Sequence, residues 1–208
     1  MTFLLAHPSE VALLLAQHVA LTGSALLIAF AIALPLGVVA SRNRRAKAVI
    51  LGVFGAIYTL PSLAVLALLV PILGLNFLTA LVALVAYAQM ILVRNIAVGL
   101  EQVPFAMRDA ARGLGMTPIE SFRRVELPQA LPVVLGGVRI AAVSLIAIAN
   151  LAAWIGAGGL GVLLFVGIQR QDTDRIVLGS VLSALLALGV NAALQIVQRR
   201  TARAAGAQ

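Results

Sequence analysis

The side chains that could perform chemistry are few, and their spacing does not suggest a catalytic centre. Ser24 could act as a nucleophile only with a general base in reach, and no histidine follows His18. The seven Asp and Glu residues all lie outside the long uncharged stretches, which argues against an intramembrane aspartyl mechanism. The absence of cysteine excludes thiolate chemistry, and two histidines, His7 and His18, argue against a zinc site. We predict a protein that is not an enzyme and holds no metal or cofactor.

The composition is that of a membrane protein. Hydrophobic residues make up 62% and charged residues 11% of the 208 residues, against about 45–50% and about 25% in soluble domains. Four stretches carry no charge, and each is long enough for the roughly 20 residues of a membrane-spanning helix. The second is long enough for two spans and is divided by the turn cluster at residues 71–76. This pattern predicts an all-α, polytopic single domain over residues 1–208, with spans at residues 19–40, 48–70, 77–98, 132–153 and 175–197.

Prolines and polar residues set the expected ends of these spans. Ser9 is expected to cap a short amphipathic stretch, residues 10–17, that lies on the membrane surface before the first span. Pro61 is expected to kink the second span, and Pro132 to occupy the first turn of the fourth. Residues 1–5 carry no positive charge, so we expect no cleaved signal peptide.

Positive charges are concentrated on alternate connections between the spans. Residues 42–47 contain four positive charges and no acid, whereas residues 71–76 contain no charge. Arginines recur in the connection at residues 100–131 and in the tail after residue 197. Because positive loops stay cytoplasmic, the C-terminus is expected inside and the N-terminus outside the cell membrane. The basic residues flank apolar runs, so the expected partner is the lipid bilayer and not nucleic acid.

The connection at residues 100–131 is long and retains helical patterning. We predict a short helix at residues 105–112, stopped by Gly113 and Gly115. Thr117 and Glu120 form a capping-box pattern that starts a second helix, expected to end at residue 126, before Leu127. Long loops with structure of their own are commonly functional. The pattern therefore predicts a docking surface beneath the membrane.

The same loop carries a spaced motif: Asp109-Ala110-Ala111, three residues, Gly115, nine residues, Val125, one residue, Leu127-Pro128. It resembles the cytoplasmic signature of ABC importer permeases, which begins with Glu where this chain has Asp and carries Ile where this chain has Val. Residues 60–64, 93–95 and 155–161 resemble the permeases of uptake systems for glycine betaine, choline or carnitine. The resemblance implies the fold of type I ABC importer permeases.

The resemblance also implies a division of labour among subunits. An external binding protein captures the solute, two permease subunits, identical or homologous, form the path, and two ATPase subunits supply power. The chain has no phosphate-binding loop, and its only lysine is Lys47. The residues expected to couple the permease to the ATPase are Asp109, Ala110, Ala111, Gly115, Val125, Leu127 and Pro128. Gly115 would permit a tight elbow, and the two alanines would present a flat surface.

Polar and aromatic residues near the spans are candidates for the solute path. A quaternary ammonium favours aromatic faces, which singles out Tyr58, one turn before Pro61. Gln89 and Asn150 could face a hydrated path or could join neighbouring helices by hydrogen bonds. Trp154 suits a position at the membrane interface. The outer gate or binding-protein contact is expected at Trp154, Gly156, Gly158, Gly159 and Gly161, with a plain loop as the alternative.

Two other functions stay open at this stage. A methionine-type importer permease would share the five spans, the loop motif and a glycine-rich run. A small secondary transporter or channel belongs to a different class. Proton-coupled carriers generally place ionisable groups within spans, and this chain has almost none there.

Overall fold

Ten α-helices occur in residues 2–204, the part of the chain that the structure, a computed structural model, describes. No β-strand is found within these residues. The helices are α1 (Thr2–Ala6), α2 (Pro8–Arg42), α3 (Arg44–Thr59), α4 (Ser62–Leu73), α5 (Phe77–Glu101), α6 (Phe105–Gly113), α7 (Pro118–Ser121), α8 (Leu127–Ala152), α9 (Gly161–Arg170) and α10 (Thr173–Ala204). The predicted all-α fold is confirmed.

The membrane-spanning segments agree with the expected count when one broken span is included. Four helices in the described region are long and apolar enough to cross a bilayer: α2, α5, the continuous helix Pro118–Ile155 and α10. Helices α3 and α4 form a pair bent by 97° and can supply the fifth span. The chain is therefore a multi-pass membrane protein.

The first span is longer than the sequence predicts. Helix α2 runs without interruption from Pro8 to Arg42, so the separate surface stretch expected at residues 10–17 is wrong. Val11 and Leu14 are buried in an apolar cluster with residues of α9 and α10. This burial stabilises the early turns as part of one helix, and Pro8, in the first turn, loses no hydrogen bond.

The second span is broken at Pro61, where a kink was expected. Helix α3 ends at Thr59, and Leu60 is extended, with φ −69° and ψ 142°. A residue before proline avoids the helical region for steric reasons, which explains the break. The turn expected at residues 71–76 is shorter than predicted, because Pro71 lies inside α4 and only Gly74 to Asn76 separate α4 from α5.

The fourth span begins much earlier than the expected Pro132. Helix α7 continues through a π-helical turn, Phe122–Glu126, directly into α8. The predicted end of the second loop helix before Leu127 is therefore wrong. Pro128 lies in the first turn of α8 and Pro132 lies inside it. At the other end of the chain, α10 includes the start of the expected tail, and residues 205–208 lie outside the described part.

Helix α5 is the centre of the fold and packs between α2 and α8. Small residues make this close packing possible, as is usual between membrane helices. A Cβ at Gly37 would overlap the side chain of Ile96, and one at Gly137 would overlap Asn95. A Cβ at Gly99 would lie 3.0 Å from the Ala130 carbonyl oxygen. The three long helices are thus held at a fixed, short separation.

Candidate functional site

Helix α6 presents one face to the rest of the chain and leaves the other free. Ala111 is buried, with 2% of its surface exposed, whereas Asp109 and Ala110 are exposed. A helix packed on one side produces this alternation. The two alanines therefore have different roles, and the expectation that both form a flat outer surface is wrong for Ala111. Its small side chain instead lets α6 lie close to the chain.

A tight turn follows α6 at the glycine of the motif. Gly115 has φ +76°, a conformation that favours glycine. The Gly115 amide donates to the Arg112 carbonyl at 2.9 Å, and the Met116 amide donates to the Ala111 carbonyl at 3.1 Å. A Cβ at Gly115 would meet nothing within 4 Å. The chain itself therefore requires glycine here for its backbone angle and not for space.

The helix after the turn begins with the predicted capping box. The Glu120 amide donates to Thr117 Oγ1 at 3.3 Å, and the Thr117 amide donates to Glu120 Oε2 at 2.9 Å. Two amides at the start of the helix are satisfied in this way. The elbow between α6 and α7 thus has a defined geometry on both sides.

Large apolar side chains are exposed on this loop, which sequence reasoning missed. Phe105, Leu114 and Ile119 are exposed by 72%, 77% and 67%. All three lie in the segment before the apolar part of the fourth span. Exposed apolar residues outside the bilayer commonly mark a contact with another protein. We call Phe105, Leu114 and Ile119, together with the exposed Asp109 and Ala110, the loop face.

Polar contacts tie the loop to the ends of the third span and the first. Arg108 Nη2 donates to the carbonyls of Leu100 and Val103, each at 2.9 Å. Because the last carbonyls of a helix have no partner within it, Arg108 both caps α5 and anchors α6. Arg42, at the end of α2, pairs with Glu126 in the π-helical turn.

A third polar contact joins the broken span to α5. Lys47 Nζ, near the start of α3, donates to both carboxylate oxygens of Glu101 at 2.8 Å. Exposed pairs of this kind stabilise a protein by less than about 1 kcal/mol, so their importance here is geometric. They link the ends of successive spans on the side of the loop.

The remaining motif residues lie where the loop becomes the fourth span. Val125 is half-buried in the π-helical turn, which is a local widening often found at functional sites. Leu127 is half-buried and Pro128 exposed in the first turn of α8. Helices α7 and α8 are therefore joined without a break by the π-helical turn.

At the break in the second span, Tyr58, one of the expected path residues, lies beside a second tyrosine. The ring of Tyr58 lies 6.1 Å from that of Tyr87, which sequence reasoning did not single out. The Tyr87 hydroxyl donates at 2.5 Å to the carbonyl of Leu60, the extended residue in the break. A narrow cleft, with no room for a water molecule, runs beside both rings. It is also lined by Ala88, Ile91, Ala141, Ser144, Leu145 and Ile148.

The two amide candidates lie away from this cleft. Gln89 points from the opposite side of α5, where its Nε2 donates to the Ala29 carbonyl at 3.2 Å. Asn150 Oδ1 accepts from the Ser183 hydroxyl at 3.0 Å. Both amides therefore join neighbouring helices, the alternative considered for them from the sequence. The structure does not bring Tyr58, Gln89 and Asn150 into one cavity.

The glycine-rich run lies at the end of the fourth span opposite the loop. Gly156, Gly158 and Gly159 all have positive φ angles, from +75° to +85°. Trp154 is exposed and its ring centre lies 6.3 Å from that of Phe165, whereas Ala157, Gly159 and Leu160 are buried. A Cβ at Gly161 would overlap the Asn150 carbonyl. The run is therefore packed into the protein and is not a plain surface loop.

The described residues do not contain three grouped His, Asp or Glu side chains that could hold a metal ion. The chemistry available at the loop is that of a contact surface, and at the Tyr58 cleft that of an aromatic wall.

Comparison with known proteins identifies relatives over nearly the whole chain. A family model described as "Binding-protein-dependent transport system inner membrane component" matches residues 21–204. The choline transport system permease protein OpuBB of Bacillus subtilis (strain 168) is 37% identical over 184 residues, covering 88% of this chain and 85% of the relative. The glycine betaine/carnitine/choline transport system permease protein OpuCB of the same organism is 34% identical over 200 residues, covering 96% and 92%.

The fold also occurs among solved structures. An inward-facing structure of the MetNI methionine ABC transporter superposes with a TM-score of 0.82 at 23% identity. The match covers 92% of this chain and 96% of that chain. At this identity the likeness concerns the fold alone.

Proposed function

The chain belongs to the family of binding-protein-dependent transport system inner membrane components, and we propose that it is the permease subunit of an ATP-driven importer for osmoprotectants such as glycine betaine, choline or carnitine. In this function it moves a solute from an external binding protein to the cytoplasm. ATP is hydrolysed on a separate ATPase subunit. Family membership argues against a secondary transporter or a channel.

The observation that carries the proposal is the loop face. It combines exposed apolar side chains with the small surface of Ala110 and the elbow at Gly115. Such a surface fits a cleft on the ATPase, where the apolar residues lose their contact with water. Burial of three large apolar side chains contributes roughly 1.5–3 kcal/mol each before the costs of association. Asp109 lies beside them and can pair with a basic group of the ATPase.

The polar contacts that link the ends of the spans explain how docking of the ATPase moves the spans. Closure of the ATPase subunits on ATP displaces α6 and α7. Because α7 is continuous with α8, the fourth span moves with them. Arg108 and Glu126 pass the displacement to the third and first spans. The spans then alternate between outward and inward openings, as rigid bodies do in hinge and shear transitions.

A second permease subunit completes the path. Helix α3 has no buried residue in the single chain, and within residues 173–203 of α10 only Leu178 and Gly179 are buried. Apolar helix faces of this size need either lipid or protein against them. We assign the face next to the Tyr58 cleft to the second subunit, identical or homologous, so that the solute path forms between the two subunits.

The positive charges of residues 42–47 and of the loop place the ATPase on the cytoplasmic side. The glycine-rich run then faces the outside, where the binding protein delivers the solute. Trp154, exposed beside this run, is suited to that contact. The N-terminus is outside and the C-terminus cytoplasmic.

The solute class follows from the relatives, two of which are permeases named for choline, glycine betaine and carnitine. The likeness to the methionine transporter extends to the fold alone. The exposed ring of Tyr58 beside Tyr87 offers an aromatic face for a quaternary ammonium, at a stabilisation of roughly 1–2 kcal/mol. High-affinity selection is a property of the binding protein.

Reconstitution with solute competition tests this function. The permease, its ATPase and its binding protein are placed in proteoliposomes, and uptake of labelled glycine betaine, choline and carnitine is measured with internal ATP. We expect ATP-dependent uptake of at least one of them and no competition by methionine. Strong competition by methionine would favour the methionine-type importer, and uptake without ATP or ATPase would contradict the importer altogether.

A further inference from the structure

The buried histidine of the first span contacts the glycine-rich run, which is far from it in the sequence. His18 is fully buried, with none of its surface exposed. Its Nδ1 accepts from the Leu160 amide at 3.2 Å, and its Nε2 lies 3.1 Å from the Ile146 carbonyl. Because an amide can only donate, Nδ1 carries no proton, and the Nε2–H donates to Ile146. The ring thus bridges α8 and the glycine-rich run from α2.

The residue before it makes a parallel contact. Gln17 Oε1 accepts from the Gly159 amide at 3.1 Å. Gly159 and Leu160 directly precede α9, so their amides take no part in its hydrogen bonds. Gln17 and His18 therefore satisfy two amides that would otherwise be unpaired inside the protein.

The glycines of the run are required by this contact as well as by their backbone angles. A Cβ at Gly158 would overlap Gln17 Oε1, and a Cβ at Gly159 would lie 3.0 Å from His18 Nδ1. Both glycines have positive φ. The run can approach α2 closely because it lacks side chains there, and successive glycines also let it change conformation easily.

A second apolar cluster packs this end of the protein. Val11, Leu14, Leu160, Leu163 and Leu178 form an apolar cluster distinct from the main core. That cluster joins the first turns of α2 to α9 and α10. Along α2, the Gln17–His18 pair lies between Leu14 of this cluster and Leu21 of the main core, and it contacts the run where the run enters α9.

We propose that Gln17 and His18 form a latch that holds the glycine-rich run closed against the fourth span, and that transport requires its release. The inference rests on the proposed importer function and assigns positioning residues to its outer gate. Release frees the run to turn about Gly156, Gly158 and Gly159 and opens the path on that side. The binding protein favours the released state by contacting the run.

Two substitutions of His18 each remove one of its two hydrogen bonds and keep the other. In His18→Asn, Oδ1 stands at the same number of bonds from the backbone as Nδ1, so the acceptor for Leu160 is kept and the donor to Ile146 is lost. In His18→Gln, the amide nitrogen replaces Nε2, so the donor to Ile146 is kept and the acceptor for Leu160 is lost. Gln17→Ala removes the bond to Gly159, and Gln169→Ala, at an exposed position of α9, is the matched control.

Opening of the run is measured on the full-length permease in liposomes, without its partners. Ala157 is buried in the run and the sequence has no cysteine, so Ala157→Cys reports opening through its reaction with a membrane-impermeant thiol reagent. We expect His18→Gln and Gln17→Ala to speed this reaction by about tenfold, the effect of one lost buried hydrogen bond. His18→Asn and Gln169→Ala should react at the parent rate. Equal rates in all five proteins, or equal acceleration by His18→Asn and His18→Gln, would overturn the latch.

The complete transporter provides a second readout that a purely structural role would not change. With ATPase subunits present and no binding protein, His18→Gln should hydrolyse ATP faster than the parent. With the binding protein added, it should transport less solute per ATP than the parent. A residue that only stabilises the fold would lower hydrolysis and uptake together, along with protein yield. If the parent complex shows no hydrolysis stimulated by the binding protein, the importer function fails, while the thiol reaction still tests the contact.

Discussion

Arg42 and Glu126 form an ion pair in which Arg42 Nη2 lies 2.5 Å from Glu126 Oε2. The Arg42 side chain is 44% exposed, whereas that of Glu126 is only 5% exposed. Arg42 ends the first span, and Glu126 ends the π-helical turn that leads into the fourth. A nearly buried carboxylate depends on its partner. The pair therefore fixes the end of the first span to the segment that joins the loop to the fourth span.

This asymmetry predicts unequal effects of removing the two partners. Arg42→Gln leaves the carboxylate of Glu126 without its cation and should lower the free energy of unfolding by about 1–3 kcal/mol. Glu126→Gln removes the buried charge itself and should cost less. Thermal unfolding of the purified permease in detergent measures both, with the exposed Arg44→Gln as the control. Equal losses in the two variants would show that Arg108 and Arg112, which line the same cleft, compensate for Arg42.

The packing of α2 against α5 gives a second prediction. Gly37→Ala places a methyl group against Ile96, in a contact formed by two rigid helices. We expect a loss of about 1–3 kcal/mol from overpacking. Gly23→Ala in the same helix meets nothing within 4 Å and should be neutral or gain up to about 1 kcal/mol from helix propensity. Thermal unfolding that ranks the two variants in the reverse order would contradict the packing of these spans.

The orientation in the membrane is tested with single cysteines, since the chain has none. Ile119→Cys in the loop and Asn43→Cys after the first span occupy exposed positions. We expect both to resist an impermeant thiol reagent in intact cells and to react after lysis. Thr173→Cys and Leu75→Cys, also exposed, should react from outside. Reaction of Ile119→Cys in intact cells would reverse the orientation and remove the loop from the side of the ATPase.

Local features of the fold were predictable from the sequence because neighbouring residues determine them. The capping box of Thr117 and Glu120 is present, the break lies at Pro61, and the motif glycine, Gly115, adopts a positive φ. Each depends on steric or hydrogen-bonding rules within a few residues. The start of the fourth span was misplaced because Leu127-Pro128 suggests a helix end, whereas a π-helical turn before it lets the helix continue.

Contacts between distant residues could not be predicted in this way. His18 and Leu160 are 142 positions apart, and Arg42 and Glu126 are 84 positions apart. The burial of Ala111 beside the exposed Ala110 likewise depends on which face of α6 packs against the chain. The one available signal was the rarity of polar residues in apolar spans, which are commonly functional or paired. That rule did not reach Gln17 and His18, because the first span was predicted to begin only at residue 19, whereas α2 begins at Pro8.

The elbow at Gly115 offers a test of coupling that strains the permease itself only slightly. Asn and Asp tolerate a positive φ better than other residues with side chains, and a side chain at this position meets no atom of the chain within 4 Å. Gly115→Asn and Gly115→Asp should therefore fold and insert at normal yield. Any loss of transport in these variants then reports the approach of a partner.

We expect the charged variant to be the more harmful, because a carboxylate added next to the apolar loop face would be buried against the ATPase without a designed partner. Gly115→Asp should lower ATP-driven uptake in proteoliposomes by about tenfold or more, equivalent to at least roughly 1.4 kcal/mol, and weaken co-purification of the ATPase. Gly115→Asn, which differs only in charge, should retain more of both. Wild-type uptake by Gly115→Asp at equal protein level would show that the loop does not couple the ATPase to the spans, and the importer function would lose its main structural support.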